Sequence, residues 1–117
     1  MADRIVHFEI LGPDGPALQR FYGDLFGWSV NADNPMKYGM VDGSQAGVGG
    51  GIVASQDGKP QVAVYIEVPD LQAALGKAEK LGGATVMPPM PVPGGPEIAQ
   101  FSDPAGNVIG LTKQGTM

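Results

Sequence analysis

The sequence predicts an α+β fold made of two tandem βαβββ modules. Three observations carry this prediction. The stretch RIVHFEI at residues 4–10 is rewritten as VAVYIEV at residues 62–68; aligning Glu9 with Glu67 sets His7 against Tyr65, a shift of 58 residues in a chain of 117. Each stretch is followed by apolar residues at helical spacing. Each of those segments is followed by three short runs of strand character, bounded by glycine, proline or aspartate.

Successive side chains of a strand point to opposite faces. In the first strand Val6, Phe8 and Ile10 form an apolar face, while Ile5, His7 and Glu9 form the other. In its counterpart Val64, Ile66 and Val68 are apolar, and Ala63, Tyr65 and Glu67 oppose them. The apolar face of each strand is suited to take a helix. The remaining faces would line a common concavity.

In chain order, LGPDGPA is a turn that leads into a helix, with Pro16 in a first helical turn where its missing N–H does no harm. Leu18, Phe21, Tyr22 and Leu25 give that helix its stripe, and Gly27 ends it. Residues 28–32 and 37–41 read as strands separated by the turn Asp33-Asn34-Pro35. Asp42-Gly43-Ser44 is a hairpin signal. Residues 47–54, GVGGGIVA, would be the next strand. Glycine weakens strands, so this run is read either as backbone brought close to a ligand or another chain, or as a bulge or loop.

Residues 55–60 form a polar link. Module one is therefore expected at about residues 4–54 and module two at about 61–112, together one domain over 1–117. Asp70 is the expected N-cap of the second helix, whose stripe is Leu71, Ala74, Leu75, Ala78 and Leu81. Gly82-Gly83 stops it. Residues 84–87, 97–102 and 108–111 are the closing strands. The proline-rich segment 88–96 is a restrained loop expected to border the site, and DPAGN at 103–107 is a turn.

Composition excludes several classes of function. There is no cysteine, which rules out disulfides and thiolate metal sites. A net charge of −5 without a Lys/Arg cluster argues against nucleic acid and anionic membranes as partners. No apolar run is long enough to span a bilayer and no leader pattern opens the chain, so a cytoplasmic location is expected. A nucleophile elbow, a P-loop and a dinucleotide fingerprint are all missing. Tyr22 and Trp28 read as core or interface aromatics. Met36, Met40, Met87 and Met90 read as scattered core residues, or as an adaptable apolar rim.

His7, Glu9, Tyr65 and Glu67 are the candidate site. They either satisfy one another on a wet sheet surface or form a half-open pocket, with His7 and Glu9 as an acid/base pair and a phenol opposite. Glu97 and Gln100 are further candidate polar contacts to a ligand.

HFEI near the start, FYGDLFGW after it and FSDPAGNVIGL near the end resemble the vicinal oxygen chelate superfamily, which includes glyoxalase I, extradiol dioxygenases and bleomycin resistance proteins. The resemblance covers nearly the whole chain. It implies that the paired modules form a U-shaped mixed sheet around a cavity. In metal-using members the ligands come from the first and last strands of each module. Carried over, these positions are His7 and Tyr65, with Gly110 where such members have glutamate, and the glycines 49–51 at the remaining place. His7 is then the one retained ligand, and no metal cofactor is expected.

Two functions follow from the resemblance. The first is metal-free binding of a small apolar or aromatic molecule, with a homodimer as the assembly and the glycine-rich strand at its contact. The alternative is a lyase, isomerase or dioxygenase that uses a divalent metal or His7. A third reading is a regulatory module with a vestigial pocket.

Overall fold

The computed structural model describes residues 2–115. Its elements are β1 (Arg4–Gly12), α1 (Gly15–Phe26), β2 (Val30–Asn31), β3 (Gly39–Val41), α2 (Gly43–Ala46), β4 (Gly50–Ala54), β5 (Gln61–Val68), α3 (Leu71–Lys80), β6 (Ala84–Pro91), β7 (Glu97–Ser102) and β8 (Val108–Lys113). This is an α+β fold written as two βαβββ units, the first with an extra helical turn. Val6–Ala63 is one compact unit; the other runs from Val64 onward and includes the first residues up to Ile5.

The units share one topology. In the first the strand order is β2-β3-β4-β1, and β1 pairs parallel with β4 in the register Phe8↔Gly50. In the second the order is β5-β8-β7-β6, and β5 pairs parallel with β8 in the register Tyr65↔Gly110. In each the opening strand lies beside the closing one, and the helix between them provides the crossover that parallel pairing requires.

Local chemistry sets the helix limits. The Asp14 carboxylate accepts from the Ala17 amide at 3.0 Å, and the chain leaves α1 through Gly27 at φ 75°. The Asp70 carboxylate accepts from Ala73 at 3.0 Å, and Gly82 follows α3 at φ 102°. A side-chain cap satisfies an amide that the first turn leaves without a partner, and a left-handed glycine closes the last turn.

The second unit has the tighter core. Val68, Leu71, Leu75, Ala99 and Leu111 are buried together, with Ile66, Ala74 and Phe101 packed against them. Val68 and Ile66 alternate with Tyr65 and Glu67, so α3 covers the face predicted for it. In the first unit α1 packs beside an aromatic cluster. Trp28 lies 5.7 Å from Phe8, 6.3 Å from Tyr22 and 5.1 Å from Phe26 between ring centroids. Tyr22 and Trp28 are therefore packing aromatics.

Several boundaries differ from the sequence reading. Asp42-Gly43-Ser44 does not make a tight hairpin. Asp42 instead caps the short helix α2, accepting from Ser44 at 2.8 Å, although β3 and β4 still pair antiparallel. The prolines Pro88, Pro89 and Pro91 lie within β6, and only residues 92–96 form the loop. β6 is the outermost strand of its unit and its register to β7 is interrupted. At a sheet edge proline's missing donor is tolerated. Met36, Met40 and Met90 are exposed, not core.

Candidate functional site

The glycine run divides: residues 47–49 form a bend after α2, and the strand begins only at Gly50. β4 lies between β3 and β1 and is paired on both sides. Its glycines make room for aromatic rings of the same unit. A β-carbon on Gly50 would overlap the Phe8 ring on the α1 side, and one on Gly51 would overlap the Tyr38 ring on the other side. An aromatic side chain laid over a strand glycine restores the packing that the glycine lacks.

Tyr38 thereby reaches the polar face of the first unit. Its hydroxyl donates to Glu9 Oε2 at 3.0 Å and lies 2.8 Å from His7 Nε2. The imidazole and phenol planes are 13° apart, with centroids at 6.3 Å. His7 and Glu9 are thus brought together, but through a third residue that the sequence reading did not select. Met40 shares this face, since it pairs with Gly51, and is 57% exposed. The face combines a polar relay with an exposed apolar group.

On the corresponding face of the second unit, Tyr65 is buried and its ring covers Gly110. Gln100 Nε2 donates to the Tyr65 hydroxyl at 3.4 Å. Glu67 pairs in register with Thr112, whose buried hydroxyl has no hydrogen-bond partner among the described residues. Tyr65, Glu67 and Gln100 therefore share one face. Glu97 does not join them. It lies on the Ala99 side of β7, the face taken by α3, and pairs with Lys113 at 3.4 Å.

Burial holds the His7 imidazole below its ordinary value of 6.5. A histidine with a depressed pKa favours the neutral form in the fold. Its contribution to stability is complete above 6.5 and is lost as pH falls through 6.5 toward the folded value. The melting temperature should therefore decline between about pH 7 and pH 5, in the histidine range. His7→Gln should flatten that segment in a pH series of thermal melts. Asp42 and Asp103, held below 3.8 chiefly by hydrogen bonds from Ser44 and Asn107, act only in more acidic solution.

The donor set does not match a metal site of the family type. His7 Nε2 is engaged by Tyr38, the Gly110 position offers no side chain, and the space beside it is filled by the Tyr65 ring. Among the described residues no three His, Asp or Glu side chains are grouped to hold an ion. A firm transition-metal site needs three or four placed ligands. A depression of about 340 Å³ exists elsewhere, lined by residues of α1 with Trp28 and Val30. It opens beside the helix and does not include His7, Glu9 or Tyr38.

Comparison with known proteins agrees with this architecture. A family model described as Glyoxalase/Bleomycin resistance protein/Dioxygenase superfamily matches residues 4–111 and so spans both units. The chain belongs to this superfamily. It is 30% identical to the anthracycline biosynthesis protein DnrV of Streptomyces peucetius, over 94% of this chain and 46% of that protein. It is 32% identical to the putative glyoxylase CFP32 of Mycobacterium bovis, over 84% of this chain and 41% of that protein. The chain spans less than half the length of these curated relatives.

Among solved structures it resembles methylmalonyl-CoA epimerase from Mycobacterium tuberculosis, with a TM-score of 0.67 and 17% identity over 93% of this chain and 86% of that one. It also resembles 2,2',3-trihydroxybiphenyl 1,2-dioxygenase from Sphingomonas wittichii, with a TM-score of 0.67 and 15% identity over 100% of this chain and 42% of that one. Identities this low establish a shared fold, and one fold hosts many chemistries. No helix among the described residues is long and apolar enough to cross a membrane.

Proposed function

We propose that this protein binds a small apolar or aromatic molecule on the sheet face of its first unit that carries His7, Glu9, Tyr38 and Met40, without a metal ion and in the cytoplasm. The observation that carries this reading is the occupation of the family's ligand positions. One imidazole is retained, and its Nε2 is spent on a phenol at 2.8 Å. The exposed Met40 beside the relay suits an aromatic ligand, because a thioether adapts to ring edges and faces. The Streptomyces relative named for anthracycline biosynthesis favours the same ligand class. In the second unit Tyr65, Glu67 and Gln100 are the residues to which a ligand role is assigned; Glu97, paired with Lys113 on the other face, has none.

A second reading is favoured by the relay itself. Glu9, Tyr38 and His7 form a hydrogen-bonded chain that orients an imidazole kept neutral by burial, an arrangement an acid/base enzyme can use. The assembly proposed is a homodimer. Phe21, Leu25 and Phe26 on α1 are each more than half exposed, an apolar group that a second copy would cover.

A thermal-shift screen tests the first reading. A ligand that binds only the folded state raises the melting temperature, by about 2.7 kcal/mol of stability at 100 times its Kd. Small aromatics should raise it, and zinc or nickel should not. A purified protein that carries one tightly held metal per chain would overturn this reading and favour the enzyme. Sedimentation showing a monomer at micromolar concentration would remove the dimer.

A further inference from the structure

We propose that Tyr38 is the positioning residue of the His7 face, and that it holds the imidazole as an Nε2–H donor, which takes that nitrogen away from any metal ion. Three features, each with its own structural cost or constraint, converge on this residue. Gly51 leaves the space in which its ring sits. The Asn34 carboxamide clamps its backbone from both sides: Asn34 Nδ2 donates to the Tyr38 carbonyl at 2.8 Å, and the Tyr38 amide donates to Asn34 Oδ1 at 2.9 Å. Among the described residues Lys37, just before it, is the non-glycine residue of positive φ, at 55°. That left-handed conformation is unfavourable for a residue that bears a side chain. It persists because Lys37 is tied at both ends, its amide donating to the Asn34 carbonyl at 3.1 Å and its carbonyl accepting from Gln19 Nε2 at 3.1 Å. Strain held in place by surrounding contacts is a mark of functional positions.

The proton count then fixes the direction of the relay. An ionised carboxylate only accepts, so the phenol proton goes to Glu9. A phenol has one proton. Its oxygen must therefore accept from His7, and Nε2 must carry the hydrogen. A metal ion needs the lone pair of an unprotonated ring nitrogen. Coordination through Nε2 would require the clamped, seated phenol to leave.

This inference rests on the proposed use of the face but is tested without any ligand for it. His7 is the chain's only histidine, so its ring nitrogens give one set of NMR signals. At pH 8 the wild type should show Nε2 protonated throughout and the Nε2–H proton protected from exchange. Tyr38→Phe keeps the ring on Gly51 and removes the hydroxyl. Its Nε2–H should lose protection and its ring-nitrogen shifts should move toward the free-histidine mixture. Nickel alone, titrated against the His7 ring signals, should bind Tyr38→Phe about tenfold more tightly than wild type, the ratio that about 1.4 kcal/mol represents.

Asn34→Ala, which loosens the clamp but leaves the phenol, should give an intermediate result and serves if Tyr38→Phe does not fold. A protonated Nδ1 in the wild type, or unchanged exchange and nickel affinity in both variants, would overturn the assignment. Failure of small aromatics to bind, with these NMR results intact, would sink the ligand reading alone.

Discussion

Gly110→Glu should lower the melting temperature by about 15 °C, which corresponds to about 3 kcal/mol for a chain of this size. This is the substitution that would restore the family's carboxylate, and on ligand count alone it would be expected to help a metal bind. The fold opposes it. A β-carbon on Gly110 would overlap the ring of Tyr65, which is 6% exposed and whose hydroxyl accepts from Gln100. The glutamate would also have to place a charge at a buried position of β8.

Tyr65→His should relieve part of the collision, because the smaller ring withdraws from the space the new side chain needs. The two substitutions should therefore be non-additive, with the pair at least 1 kcal/mol more stable than the sum of the singles predicts. The pair also sets an imidazole and a carboxylate on register partners of β5 and β8. Its nickel affinity should exceed that of either single variant and should rise with pH through the histidine range. Thermal melts and calorimetric titration of the four proteins decide this. Strict additivity, or a Gly110→Glu protein as stable as wild type, would show that Tyr65 is not held where the structure places it.

The glycines explain what the sequence could and could not disclose. Period-two alternation, helical stripes and capping aspartates are local signals, and they located β1, α1, β5, α3 and β7 to within two residues at each end. They also assigned the helix-bearing faces, because Val68, Leu71 and Leu75 must share a core whatever the loops do. The run GVGGGIVA was legible as unusual but not as a seat for aromatic rings. Gly50 and Gly51 face opposite sides, so two partners were needed, and one of them, Tyr38, lies in the loop just before β3, thirteen residues from Gly51. A tyrosine four residues after Asn34, on the same face as an exposed methionine, was the available signal. Its meaning depends on a non-local contact and on a strained backbone at Lys37, neither of which leaves a periodic trace. Glu97 was misplaced for a simpler reason. Glu97 lies three residues from Gln100, so alternation along β7 already puts the two on opposite faces; the register to β8 adds that the Gln100 face is the Tyr65 face.

Leu75→Ala should destabilise the protein by about 3 kcal/mol, whereas Leu25→Ala on the other long helix should cost under about 1 kcal/mol at concentrations where the chain is monomeric. The chemistry of the two changes is the same, so their difference isolates burial. Leu75 is 1% exposed and sits among Val68, Leu71, Ala99 and Leu111, with Ala74 and Phe101 beside them. Removing its three terminal carbons forfeits their transfer free energy and leaves a cavity that strands β5, β7 and β8, fixed by paired registers, cannot collapse to fill. Leu25 is 57% exposed and already meets water over most of its surface. The same strands carry Tyr65 and Gln100 on the opposite face, so a loosened Leu75 core should also weaken their 3.4 Å contact and raise hydrogen exchange along β5. Denaturant titrations of both variants, each at low protein concentration, measure the contrast. Equal losses for the two leucines would mean that α3 is not anchored by this cluster, and a larger loss at Leu25 would place the principal core under α1.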